Sequence, residues 1–254
     1  MKGATMEADK RKTKYIRRFS FYRIMEHWLY AVMLTIMVVT GLSQRFYGLD
    51  VSQRLVMYLG GIDSVRVVHR VTGLFLAFLL IEHVVVASYG ILFRKWKPLI
   101  MINKKDFIDA VDNLKYYLDL KDHQACCDRY GYKQKFEYWG ILTGLLMMVG
   151  TGIILWFPAT VTRFLPGELI PAAKVMHSNE AFLLFLIIAI WHIYNAMFNP
   201  EIFPLDTSIL TGYISRERMV REHPAELARI EGKTLEEIVY PVPAKGRHEK
   251  FRCF

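Results

Sequence analysis

Four stretches of this chain are long and apolar enough to cross a lipid bilayer, at roughly residues 28–44, 68–93, 138–161 and 175–198. About 20 predominantly apolar residues carry a helix across the hydrocarbon core, and in lipid only helices and closed barrels satisfy their own backbone. The runs therefore predict an all-α integral membrane protein, a four-transmembrane-helix bundle. The net charge of +9, from 33 Lys and Arg against 24 Asp and Glu, would suggest a nucleic-acid partner if it were spread over the chain. It is not. Residues 1–26 hold 8 Lys and Arg, residues 94–137 hold 10 and residues 199–254 hold 9, which is 27 of the 33, whereas the connections 45–70 and 159–174 hold only 4 and 2. Basic residues flank spans on the cytoplasmic side, so the charge reads as topology: both termini and the middle loop are cytoplasmic, and no nucleic acid is expected.

The reading that follows is a multi-pass protein of a bacterial or archaeal-type cytoplasmic (inner) membrane, with a cytoplasmic tail over 1–26, a membrane domain over 27–198 and a second cytoplasmic tail over 199–254. The basic N-terminus lacks the short apolar core and small-residue cleavage site of a signal peptide, and is expected to be retained. Within the middle loop, Phe107, Ile108, Val111, Leu114 and Leu118 share one face at helical spacing, as in a helix lying on the cytoplasmic interface. Beyond Pro200 and Pro204 the pattern predicts a charged, solvated surface helix over about 215–229. Cys126, Cys127 and Cys253 give no disulfide framework, no CxxC metal spacing and no CxxCH, so covalently bound haem c is not expected. No internal repeat is evident.

The chemistry is in the histidines. Of eight, His123, His223 and His248 lie in polar segments and read as surface residues, while His27, His69, His83, His177 and His192 lie within or at the ends of spans. Ionisable groups are expensive in a membrane and mark functional sites. His69 and His83 are 14 residues apart on the second span and His177 and His192 are 15 apart on the fourth, which returns each pair close to one helix face about 21–22 Å further along. These two spans run in the same direction, so His69 can face His177 near the outer surface and His83 can face His192 nearer the cytoplasm. Two stacked bis-histidine sites suit two haem b groups, since low-spin iron takes two axial imidazoles and the porphyrin faces want an apolar slot. His27, opening the first span, competes with His83 for the same haem, and the sequence leaves both open.

Arg66 and Arg70 flank His69 and could pair with haem propionates. Gly73, Gly140, Gly144, Gly150 and Gly152 remove side chains where a macrocycle or another helix approaches. Glu82 and Glu180 are intramembrane carboxylates that could move protons for a quinone or hold a ligand imidazole. The competing reading is a haem-free, histidine-lined transporter for a metal ion or proton. It requires polar residues between the histidines, but 71–81 and 181–191 are apolar apart from Thr72.

Several motifs carry a family resemblance over about residues 15–231: RIMEHW at 23–28 leading to Thr40-Gly41-Leu42, then VVHRVTG, RYGYKQKFEYWGIL, VMHSNEAFLLFLIIAIWHIYNAMF and SRERMVREHPAEL. Together they resemble the cytochrome b subunit of respiratory formate dehydrogenase, within a wider group of dihaem b-type membrane cytochromes. The resemblance implies a four-helix subunit with two haem b that passes electrons between a membrane quinone, menaquinone or ubiquinone, and a partner on the periplasmic side. That partner would be an iron-sulfur subunit or a multihaem c-type cytochrome holding any substrate chemistry. The family's ligands match His27, His69, His177 and His192, and His83 is additional. The family's quinone-contacting segment, Tyr-Asn-x-Gly-Gln-Lys, is here Tyr130-Gly131-Tyr132-Lys133-Gln134-Lys135, which leaves Tyr130, Lys133 and Gln134, with Glu82, as the quinone candidates.

Overall fold

The computed structural model describes residues 14–122, 124–200 and 202–239; His123, His248, Cys253 and the first half of the N-terminal tail lie outside them. The chain forms β1 (Tyr15–Arg17), α1 (Phe21–Arg45), α2 (Asp50–Tyr58), α3 (Ile62–Leu92), α4 (Lys104–Tyr117), α5 (Tyr132–Trp156), the single turn α6 (Pro158–Val161) and α7 (Leu169–Leu186), which continues in π-helical form over Ile187–His192 and Tyr194–Phe198. There follow α8 (Ser208–Thr211), β2 (Tyr213–Ser215), α9 (Arg216–Glu222), α10 (Pro224–Glu231) and α11 (Leu235–Val239).

The four expected spans are α1, α3, α5 and α7 with its π-helical continuation, all long and apolar enough to cross a membrane. Each begins six or seven residues before its apolar run, because polar and aromatic residues at the interface extend the helix without breaking the backbone ladder. At its far end α5 stops at Trp156, short of the expected 161, since Pro158 has no N–H to donate and instead occupies the first turn of α6. Only 6–17% of the apolar window of any span is buried within the protein, so most of that surface is left for lipid and for a bound group. The buried contact is a layer of Leu76, Leu80 and Leu145 packed by Tyr30, Met33, Leu34 and Met37.

These spans, apart from the start of α5 up to Gly140, belong to one compact unit, residues 21–96 and 141–206; a second unit gathers 1–20, 97–140 and 207–254. The second unit corrects two sequence expectations. The tail helix is not one solvated helix but two, because Pro224 opens α10 at its first turn, and Ile214, Met219, Leu227, Ala228 and Ile238 bury themselves as a core. A short ribbon also joins the helices: β1 pairs antiparallel with β2, Ile16 opposite Ile214. Buried Arg18 reaches Glu226 at 3.0 Å and Arg129 reaches the same carboxylate at 2.6 Å, while each arginine donates to the other's backbone carbonyl at 2.9 and 2.6 Å. Among the described residues Cys127 is a free thiol.

Helix α4 starts at a capping box between Asn103 and Asp106. Its polarity is inverted relative to a globular helix: Asp106, Asp109 and Asn113 are buried, with Lys135 on Asp106 at 2.9 Å, while Phe107, Ile108, Val111, Leu114 and Leu118 are exposed. That is the polarity a helix on a bilayer surface needs.

His223, expected at the surface, is only 3% exposed and its Nδ1–H donates to the Asp128 carbonyl at 2.8 Å. Burial, reinforced by Arg18, pushes its imidazole down to about 4, against about 6.5 in an unfolded chain. The folded state therefore binds fewer protons between these values, and stability falls as pH drops from about 6.5 towards 4, by about 3 kcal/mol in all. Protection of α9–α11 against hydrogen exchange, corrected for intrinsic rates, is expected to fall over this window and to fall much less in His223→Gln. An equal slope in the variant would contradict the assignment.

Candidate functional site

Four histidines of the spans meet in two pairs. His69, near the start of α3, faces His177, near the start of α7, with ring centres 6.4 Å apart and planes at 73°. His27, near the start of α1, faces His192 in the π-helical part of the last span, with centres 6.0 Å apart and planes at 39°. Thr40 Oγ1 lies 2.8 Å from His69 Nδ1, and thirteen residues of α1 separate His27 from Thr40, so the pairs stand about 20 Å apart along the bundle.

The sequence reading faced His83 towards His192 and kept His27 as a competitor; the structure sets His27 against His192. His83 instead directs Nδ1 to Glu26 Oε1 at 2.5 Å. Glu26 is 8% exposed and also takes Arg23 at 2.5 Å. A buried carboxylate left unpaired is costly, and this one, on the helix turn beside His27, gathers His83 and Arg23 around itself. Tyr22 donates a short hydrogen bond to Glu82 on the neighbouring helix.

His69 and His177 each have a threonine hydroxyl of their own beside Nδ1. Thr151 Oγ1 on α5 lies 2.9 Å from His177 Nδ1, matching Thr40 and His69. Each threonine is followed by a glycine against which its histidine ring lies: a Cβ at Gly41 would stand 3.3 Å from His69 Cε1, and one at Gly152 would stand 3.4 Å from His177 Cε1. Gly144 serves packing instead, since a Cβ there would meet Glu180 Oε1 at 2.7 Å and Leu184 Cδ2 at 2.8 Å. Thr40, Thr151, Glu26, Arg23 and Arg45 were not singled out from the sequence for this role. Arg45 donates to the Ser178 carbonyl at 2.6 Å and to Asn179 Oδ1 at 3.1 Å, beside His177. Thr-Gly pairs also stand at 72–73 and 143–144 within the spans, so those at 40–41 and 151–152 are not distinctive in the sequence.

Arg66 makes an exposed ion pair with Asp63 at 3.3 Å and Arg70 lies over the Trp156 ring at 5.8 Å, so neither guanidinium is sealed away from a bound anion. The loop candidates are engaged locally in their own unit. Tyr130 lies under the Arg129 guanidinium, Lys133 Nζ donates to the Tyr117 hydroxyl at 3.3 Å, and Gln134 Oε1 accepts from Gly131 N–H at 2.7 Å, closing the start of α5.

What the pairs can hold follows from counting donors. A metal bound by side chains alone needs three or four converging ligands, and among the described residues no group of three or more His, Cys, Asp or Glu could hold a metal ion. A porphyrin supplies four equatorial nitrogens and leaves only two axial positions to the protein. With metal–imidazole bonds of about 2 Å, two axial imidazoles place their ring centres roughly 6 Å apart, and both observed pairs meet that spacing. The residues present therefore fit haem.

Comparison with known proteins agrees. The prokaryotic cytochrome b561 family matches residues 18–212. Among curated proteins, the chain is 25% identical to the cytochrome b556(fdo) subunit of formate dehydrogenase from Escherichia coli (strain K12), over 85% of this chain and 92% of that protein. It is 24% identical to the cytochrome b556(Fdn) subunit of the nitrate-inducible formate dehydrogenase of the same strain, over 87% and 94%. The match covers well over half of the chain and all four spans, and on it the chain belongs to the prokaryotic cytochrome b561 family, as a multi-pass membrane cytochrome b that binds haem b and transfers electrons.

Proposed function

We propose that this cytochrome carries two haem b groups, one between His69 and His177 and the other between His27 and His192, and links a membrane quinone to a larger oxidoreductase. The observation that carries the reading is the pair of facing imidazoles at each of two levels of the bundle, 6.4 and 6.0 Å between centres. Haem, when bound, supplies one-electron exchange at each level; the chain supplies the axial nitrogens, the apolar slot and the separation. Arg66 and Arg70 are the cations placed to pair with propionates beside His69.

The charge of the loops sets the proposed orientation in the cytoplasmic (inner) membrane, with His69 and His177 at the periplasmic level. The relatives are subunits of formate dehydrogenases by name, which supports a redox enzyme as partner here. We assign the partner to the periplasmic side, as an iron-sulfur subunit or a multihaem c-type cytochrome, because the two outer connections are too short to house substrate chemistry. The quinone, menaquinone or ubiquinone, is assigned to the level of His27 and His192. There Glu82 and Tyr22 offer a carboxyl and a hydroxyl; Tyr130, Lys133 and Gln134 stay separate quinone candidates on the family resemblance of their loop alone. A haem-free transporter is disfavoured by membership of a cytochrome b family.

In this account His83 is a partner of Glu26 and not a ligand. His27→Ala is expected to lower the haem content of the purified chain to about half that of wild type, while His83→Ala keeps the full content. The reverse pattern in a pyridine haemochrome assay would give the ligand role to His83. Separately, Tyr130→Phe, Lys133→Ala and Gln134→Ala are expected to slow quinol oxidation or quinone reduction several-fold at full haem content, and unchanged turnover in all three would remove the loop from the quinone site.

A further inference from the structure

The two threonines that touch His69 and His177 are themselves held in one hydrogen-bonding state. Thr40 Oγ1 donates to the Ile36 carbonyl at 2.7 Å, with Met37 O at 3.4 Å, and Thr151 Oγ1 donates to the Met147 carbonyl at 2.7 Å, with Met148 O at 3.3 Å. A hydroxyl has one hydrogen and two lone pairs. Both hydroxyls spend that hydrogen on their own helix, as threonines inside helices commonly do, and both are buried, at 2% and 7% exposure. What each can still offer the neighbouring imidazole is a lone pair, so the atom facing it, His69 Nδ1 or His177 Nδ1, must carry the hydrogen.

From this we infer that Thr40 and Thr151 are positioning residues that fix His69 and His177 in the Nδ1–H tautomer, leaving Nε2 of each ring with the free lone pair that iron requires. The inference rests on the proposed ligand role of His69 and His177 and adds to it the residues that prepare them. The following glycine leaves room for the device: a Cβ at Gly41 would press on His69 Cε1 at 3.3 Å, and one at Gly152 would stand in contact with His177 Cε1 at 3.4 Å. The same arrangement thus occurs twice, from α1 onto α3 and from α5 onto α7, and it serves both imidazoles of a single site. At the other site, His27 Nδ1 is buried with no hydrogen-bond partner among the described residues. An acceptor on Nδ1–H makes an imidazole a stronger electron donor, which favours the oxidised metal. The site of His69 and His177 is accordingly held at a lower reduction potential than the same two ligands would give without the threonines.

Thr40→Val keeps the shape and removes the threonine acceptor at His69, and Thr151→Val removes one of two at His177, where the Met148 carbonyl also takes a hydrogen bond, whereas Thr40→Ser and Thr151→Ser keep the hydroxyl. In potentiometric titrations of the purified full chain followed in the haem absorption band, each valine variant is expected to raise the midpoint of one haem and leave the other in place, with serine restoring the wild-type curve. Valine variants that titrate as wild type would overturn the inference, as would serine variants that shift as far as valine. Nitrogen NMR of histidine-labelled protein reads the tautomer directly, with or without haem: His69 is expected as Nδ1–H in wild type, and a wild-type Nε2–H signal would overturn the assignment. If the wild-type chain binds no haem but shows the Nδ1–H tautomer, the functional reading fails and the tautomer assignment stands.

Discussion

Inside a bilayer a polar group without a partner has no water to fall back on, and the rest of this structure follows from that constraint. The backbone answers it with four helices. The side chains answer it in small closed groups: Glu26 with Arg23 and His83, Tyr22 with Glu82, Thr40 with His69, Thr151 with His177, and Arg45 with Ser178 and Asn179. Two pairs of histidines face one another between the helices.

The division of labour between the two kinds of histidine pair has a physical basis. His69 and His177 each have a hydroxyl on one ring nitrogen, while His27 has no partner on its Nδ1 among the described residues and sits next to a carboxylate already occupied by other groups. In the proposed two-haem reading, the threonines would lower the potential of the His69–His177 site by means of neutral hydroxyls.

Much of this was legible in the sequence because the signals are long. A run of some twenty apolar residues leaves little choice of structure, and five histidines in such runs leave little choice of chemistry. That His27 and not His83 would stand against His192 was not legible, since it turns on a carboxylate, Glu26, whose pairing with His83 on another helix has no periodic signature. The Thr-Gly pairs were too short to register as a repeat. His223 and the tail misled for the opposite reason: a sequence rich in charge reads as solvated, yet Arg18 and Arg129 share Glu226 inside the second unit, and the apolar positions between them close a core.

The central claim is that one chain of this cytochrome holds two haem b groups in a bundle of four spans. Its most direct test is the haem content of the purified wild-type protein in detergent, from the pyridine haemochrome spectrum set against polypeptide concentration by amino-acid analysis. The account predicts two haem b per chain; one or none would contradict it.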